Sequence, residues 1–398
     1  MTPETLTIEL TNHTSSPTVY ATITGLALAK NNSWFLLQSD GKTPYYPISP
    51  PKILQPLSEN CSIPLGPPGS SITVTIPRIA GGRIYISIDK PLVFLLNPGP
   101  ALVEPSVTNP TDKNYDTNWG FMEFTFNSDQ LYANISYVDF IAFPIALTLI
   151  PESGEQKKVL GLPKNGLEVI AQGLREQSQR DGQGWKDLIV TADKNNVNSG
   201  VLRILSPNQG IVMNRDLFKG YFEPYIDEVW NHYCSNELKV DTQCAFGTVS
   251  GNINPSSQTL TFTTTAAAPN NCNNNNNNNS NSEEFTKPTT SDIFNASSGP
   301  FQTGPSPLRN AIIPRLNAAF NRTVLLACDC EIPARDRGRY YEREVTNHYA
   351  RLVHEVNVDG RGYAHPYDDV AASGGGDHSG FVNDGRPEKL VVIVGGAE

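Results

Sequence analysis

Six short runs in the first 140 residues alternate apolar and polar side chains with a period of two: LTIEL, TVYATIT, SITVTIP, GRIYISI, GFMEFTF and LYANISYV. That period belongs to strands with one buried and one wet face, whereas a helix would repeat every three or four residues. Pro and Gly turns divide the runs, so residues 5 to about 150 read as a β-sandwich or barrel.

From residue 165 to about 240 the pattern changes. Leu167, Ile170, Ala171 and Leu174 fall at helical spacing, as do Phe218, Phe222, Tyr225, Val229 and Tyr233. Leu188 to Val190 and VLRIL (201–205) read as buried strands between them. Further helices are expected over 307–322, interrupted early by Pro314, and over 347–355, before KLVVIVGG closes the chain as a strand. Strand character at both ends places residues 1–155 and 345–398 in one β-domain, with a mixed α/β domain, 156–344, inserted. The expected fold class is therefore mainly β with an α/β insertion. Residues 266–300, which include an Asn run at 273–279, are too poor in apolar side chains to offset ordering entropy and are expected as a disordered surface loop.

Only 18% of residues are charged, while Gly and Pro number 31 each, which favours strands and turns over a helical bundle. The net charge of −10 argues against nucleic acid and anionic membranes as partners, since both reward clustered Lys and Arg. No signal peptide is visible, and no apolar run is long enough for a spanning helix. Six cysteines (Cys61, Cys234, Cys244, Cys272, Cys328 and Cys330) allow up to three disulfides, though Cys328 and Cys330 are too close to pair with each other. Sequons at Asn12, Asn31, Asn60, Asn134, Asn278, Asn295 and Asn321 lean the expectation toward an extracellular monomer.

The window NWGFMEFTFNSDQLYANISYVDF (118–140) holds the candidate chemistry. Two strand-like runs flank the turn formers Asn127, Ser128 and Asp129. Met122, Phe124 and Phe126 point one way and Glu123, Thr125 and Asn127 the other. Pairing Phe126 with Leu131 sets Thr125 against Tyr132 and Glu123 against Asn134. The resulting face carries an aromatic ring, hydrogen-bonding groups and a carboxylate, a set suited to a sugar. The same alternation also describes an ordinary solvent-facing sheet.

The segments NPGPALVEPSVTNPTDKNYDTNWGFMEFTFN (97–127), LYANISYVDF (131–140) and NHYARLVHEVNVDGRGYAHPYDDV (347–370) resemble glycoside hydrolase family 64, the laminaripentaose-producing β-1,3-glucanases. The resemblance implies a thaumatin-like β-domain and a mixed α/β domain flanking a wide groove. It further implies inverting hydrolysis of linear β-1,3-glucan without a cofactor. Carried over position by position, it makes Glu123 the general acid and Asp139 the general base. Asp112, Asp368 and Asp369 become acidic groove residues, and Thr125 and Asn127 become sugar contacts. Tyr132 stands where the family can have tryptophan and Ser136 where it can have threonine, so both also fall on substrate-binding positions.

Inversion needs a protonated carboxyl on the glycosidic oxygen and a carboxylate activating water on the opposite face. The hairpin register exposes a difficulty, because Asp139 lies five residues beyond Asn134, roughly 16 Å along an extended strand. A bulge or strand end near 137–139 must swing it back. Glu104 is the fallback carboxylate. His378 and Asp377, near HPYDD, offer metal-binding types but no HExxH or Cys/His pattern, so no metal is expected. No G-x-S-x-G nucleophile occurs. The competing class is a thaumatin-like glucan-binding or antifungal protein without turnover.

Overall fold

The computed structural model describes residues 1–193, 200–264, 282–327 and 331–396. It is mainly β, with two large sheets formed by the first 160 residues and the C-terminal segment. The first sheet runs in the order Lys157–Val159, Ile145–Pro151, Pro387–Val394, Thr5–Asn12, Ser71–Pro77. Its centre joins the two ends of the chain directly, Thr7 standing opposite Lys389 and Asn12 opposite Val394 in parallel register. Leu6, Ile8 and Leu10 on one strand and Leu390, Val392 and Val394 on the other are fully buried. Each such aliphatic side chain contributes about 1.5–3 kcal/mol. The period of two thus fixes which face meets the core.

The second sheet has eight strands. Its main path is Phe381–Asp384, Leu131–Ile135, Trp119–Phe126, Ile79–Ile88, Val19–Ala27, Ser33–Leu37, Pro44–Tyr45, and Ile63–Pro64 adds to Val19–Ala27. Met122, Phe124 and Phe126 enter the core. The opposite face of this sheet is the floor of the site described below.

Between these sheets in sequence lies a five-stranded sheet in the order Ser282–Phe285, Thr259–Thr263, Thr248–Asn254, Leu238–Asp241, Glu331–Ile332, accompanied by helices. The helix Gly166–Asp181 buries Leu167, Ile170, Ala171 and Leu174, as the spacing predicts, and stops at Gly182 in the left-handed region (φ 71). The helix expected from Phe218 onward begins later, at Glu223, because Phe218 takes a left-handed turn (φ 59) ahead of it. The helix Pro307–Asn321 runs through Pro314 rather than breaking there.

The expected disordered loop over 266–300 needs correction. Residues 265–281 lie outside the described residues, but 282–300 are ordered. Ser282–Phe285 pairs with Thr259–Thr263 and buries Phe285 completely. Thr289 and Asp292 then form a reciprocal capping box that starts the helix Thr290–Asn295, whose Ile293 and Phe294 are buried. A capping box satisfies two helix N–H donors, so a polar stretch can still be ordered locally.

Cys61, Cys234 and Cys244 are free thiols, and burial pushes the Cys61 thiol up to about 12. With these three unpaired, the six cysteines do not reach the upper bound of three disulfides. Cys272, Cys328 and Cys330 lie outside the described residues.

Candidate active site

The hairpin register is the one the alternation predicts: Phe126 pairs with Leu131, Thr125 with Tyr132 and Glu123 with Asn134. On the other side Glu123 stands opposite Arg83 of the strand Ile79–Ile88. The difficulty with Asp139 resolves through a strand end. Pairing stops at Ile135, Ser136 makes a single bridge to Tyr363, and the chain bends at 138–139. Glu123 and Asp139 consequently line one cavity of about 420 Å³, together with Arg83, Ser136, Tyr363 and Tyr367.

Each carboxylate is held on one side. Arg83 Nε donates to Glu123 Oε1 at 3.1 Å, while its Nη1 reaches Glu104 Oε2 and the Tyr85 hydroxyl at the same distance. Tyr85 in turn donates to Glu104 Oε1 at 2.7 Å. Burial pushes the Tyr85 phenol far above its ordinary value, so it stays a donor. Glu104, the fallback carboxylate, is thus tied into the Arg83 network. Gln209 Nε2 donates to Asp139 Oδ1 at 2.7 Å, and the Ser206 N–H donates to the Asp139 backbone carbonyl at 2.9 Å. Among the described residues no hydrogen bond reaches Glu123 Oε2 or Asp139 Oδ2, which leaves one oxygen of each for chemistry.

Several expected contacts stand at the site. Thr125, Tyr132 and Asn134 line a neighbouring cavity of about 410 Å³ that shares Glu123 and Arg83. The Tyr132 ring stacks on Phe381 at 4.9 Å. Asn134 is 7% exposed on that wall, and Asn12 and Asn321 are fully buried, so these three sequons have no room for a glycan. Asp369 is exposed and accepts from the Tyr363 hydroxyl at 3.0 Å; burial, and then the Asp369 charge, push that phenol well up and keep it a donor.

Three expected contacts are engaged with other partners. Asp368 is fully buried and cannot touch a sugar. Its carboxylate binds Arg322 (3.0 Å), His354 (2.9 Å) and the Ala364 N–H (2.9 Å), with His365 Nε2 at 3.1 Å. Burial alone would raise its pKa, but the imidazoles of His365 and His354 hold the carboxyl well below the usual range. Asn127 spends its side-chain oxygen on the N–H groups of Asp129 and Gln130, both at 2.9 Å, and so closes the hairpin turn. Asp112 likewise accepts from the N–H groups of Asn114 (2.7 Å) and Ser106 (3.2 Å) and shapes a loop.

His354, Asp368 and His378 bring possible metal-ligand atoms within 4.8 Å of one another. The arrangement is unsuited to a cation. The rings of His354 and His378 lie stacked 3.6 Å apart and 17° from parallel, so their in-plane lone pairs do not converge, and Arg322 already neutralises Asp368. Asp377 is engaged in capping the N–H groups of Ser379, Gly380 and Phe381.

Residues that the sequence reading did not assign to the site complete the walls. Arg83 was legible in principle, since it occupies a wet position in GRIYISI beside Glu123. Asn295, Ala296 and Ser297 come from the segment expected to be disordered, and Gln209 and Tyr367 from elements whose proximity only the tertiary fold creates.

Known proteins resemble this chain in sequence and in fold. The curated glucan endo-1,3-beta-glucosidase of Cellulosimicrobium cellulans is 26% identical over 322 residues, covering 81% of this chain and 53% of its own length. A second of the same name, from Arthrobacter sp. (strain YCWD3), is 26% identical over 333 residues with the same shares. The chain thus spans about half the length of these relatives. Among solved structures, a laminaripentaose-producing beta-1,3-glucanase in complex with laminaritetraose is 29% identical, with a TM-score of 0.82 over 98% of this chain and 99% of that one. A beta-1,3-glucanase domain from Clostridium beijerinckii, 21% identical with a TM-score of 0.72 over 98% of each chain, shares the fold. The Beta-1,3-glucanase family, glycoside hydrolase family 64, matches residues 4–394, and the chain belongs to it.

Proposed function

We propose that this chain hydrolyses linear β-1,3-glucan by a single displacement with inversion and releases short laminari-oligosaccharides such as laminaripentaose. The observation that carries the reading is that Glu123 and Asp139, brought together only by the strand end after Ile135, line one cavity. Glu123 donates a proton to the glycosidic oxygen while Asp139 takes one from the attacking water on the other face. Arg83 fixes the Glu123 carboxyl and Gln209 that of Asp139, so each presents one constrained oxygen and one working oxygen. The products carry the proton from Glu123 on the leaving hydroxyl and the water oxygen on the anomeric carbon, and solvent restores both side chains.

Tyr132, Thr125 and Asn134 supply a ring face and hydrogen-bonding groups for sugars next to the scissile bond. The relatives' names and the laminaritetraose of the similar structure support the same substrate. The mechanism requires no cofactor, and a polysaccharide substrate fits an extracellular workplace. Incubation with linear β-1,3-glucan, followed by NMR of the new reducing end, tests it. Products born as the α-anomer are expected. Products born as the β-anomer would remove Asp139 from its role as base, and binding without cleavage would favour the non-catalytic glucan-binding reading.

A further inference from the structure

The cavity of about 410 Å³ extends from Glu123 away from Asp139 and crosses the eight-stranded sheet. Its floor passes from Tyr132 and Asn134 to Glu123 and Thr125, then Arg83, then Leu26, and ends at Trp34. Strand pairing sets this order, because Asn134 opposes Glu123, Glu123 opposes Arg83, and Leu26 opposes Trp34. At a strand spacing of ~4.8 Å, Trp34 lies three strands, about 14 Å, from the strand that carries Glu123. A sugar over Trp34 therefore does not adjoin the bond being cut.

Between Arg83 and Trp34 the floor is nearly bare. The strand Ile79–Ile88 slips register against both neighbours around Ala80 to Gly82, which marks a bulge. Gly81 sits in the bulge with a left-handed backbone (φ +53), and a Cβ there would meet nothing within 4 Å. At Gly82 a Cβ would run into the Phe124 ring at 2.6 Å. Gly82 thus makes room for the Phe124 ring on the core face, while Gly81 leaves the floor open. Trp34 is half-buried, while Phe35, Leu36 and Leu37 after it are fully buried. Its indole is a large aromatic surface at the far end of a groove that also holds Leu26, Arg83, Glu104, Glu123 and Tyr132, a shape that fits the CH face of a pyranose.

We propose that Trp34, reached across the bare backbone at Gly81 and Gly82, is a remote sugar platform that determines how far along the glucan the cut falls. The proposal rests on the β-1,3-glucan reading and adds a specificity residue to it. The platform binds ring faces equally before and at the transition state, so its loss acts on KM and product length rather than on kcat.

The test compares Trp34→Ala and Trp34→Phe with the unaltered chain on linear β-1,3-glucan, reading KM, kcat and product length. Trp34→Ala is expected to raise KM about tenfold and to spread the products over several lengths, and Trp34→Phe to restore most of both. Wild-type KM and product length in Trp34→Ala would overturn the proposal. Should the unaltered chain bind glucan without cleaving it, the hydrolase reading fails separately, and calorimetric titration with laminarihexaose still decides the platform: about tenfold weaker binding by Trp34→Ala supports it, and equal binding overturns it.

Discussion

Two acidic clusters lie close together in this molecule and do opposite things. In the groove, Glu123 keeps a side chain 37% exposed beside Arg83, which is 33% exposed. Behind it Asp368 has no exposure at all and is surrounded by Arg322, His354 and His365. An exposed pair in high dielectric contributes little to stability but leaves a carboxyl free to react, whereas a buried pair depends on every partner and offers nothing to a substrate. A carboxylate's place relative to solvent, more than its type, separates chemistry from scaffolding here.

The sharpest test of that division is Glu123→Gln. Losing the general acid should lower turnover about 10³- to 10⁴-fold, as read by release of reducing sugar, with unfolding free energy changed by less than about 1 kcal/mol. Retained turnover would erase the distinction from the groove side. Next comes Asp368→Asn, which leaves Arg322 buried without its counter-charge and should cost about 3–4 kcal/mol in denaturant unfolding. A variant as stable as the parent but inactive would mean that the buried cluster belongs to catalysis after all.

How much of this contrast the sequence carries depends on the range of the forces involved. The Glu123 to Asn134 pairing was legible because turn chemistry and period-two alternation are local. Pairing of the two chain ends could be inferred from strand character at both. Asp368 and Asp369 are neighbours in an irregular segment, where no period tells inside from outside, yet one is fully buried and the other exposed. The segment after Ser282 misled through composition, because its few apolar residues, Phe285, Ile293 and Phe294, are all buried and a capping box orders the rest. Gln209 could not be connected to Asp139 at all, since 70 residues of chain separate them and only tertiary packing closes the gap.

Acidification should also separate the clusters. Burial, and then the neighbouring His354, bring the His378 pKa down to about 2. Below about pH 6.5 the unfolded chain takes up a proton on this imidazole that the folded chain refuses, so stability falls as pH drops, by about 1.4 kcal/mol per unit. His348, whose pKa is brought down to about 4 by burial, adds a loss of the same sign until that pH is reached. Denaturant unfolding at pH 6.5 and 5 should therefore show His378→Gln losing about 2 kcal/mol less than the parent. Equal losses would show that the stacked imidazole does not sense acid.

The smallest effect expected is at Gln209. Its amide holds one oxygen of Asp139 at 2.7 Å, and both groups are partly exposed, so Gln209→Ala should leave unfolding within about 1 kcal/mol of the parent. What it removes is orientation: a carboxylate free to rotate meets the attacking water in the right geometry less often, and kcat should fall about tenfold while KM for β-1,3-glucan stays the same. Gln209→Glu sharpens the point, because a second carboxylate repels Asp139 instead of donating to it and should depress kcat further without touching KM. If Gln209→Ala instead lowers stability and leaves kcat alone, the amide is a packing element, and the Asp139 side of the groove resembles the buried Asp368 cluster more than it resembles Glu123.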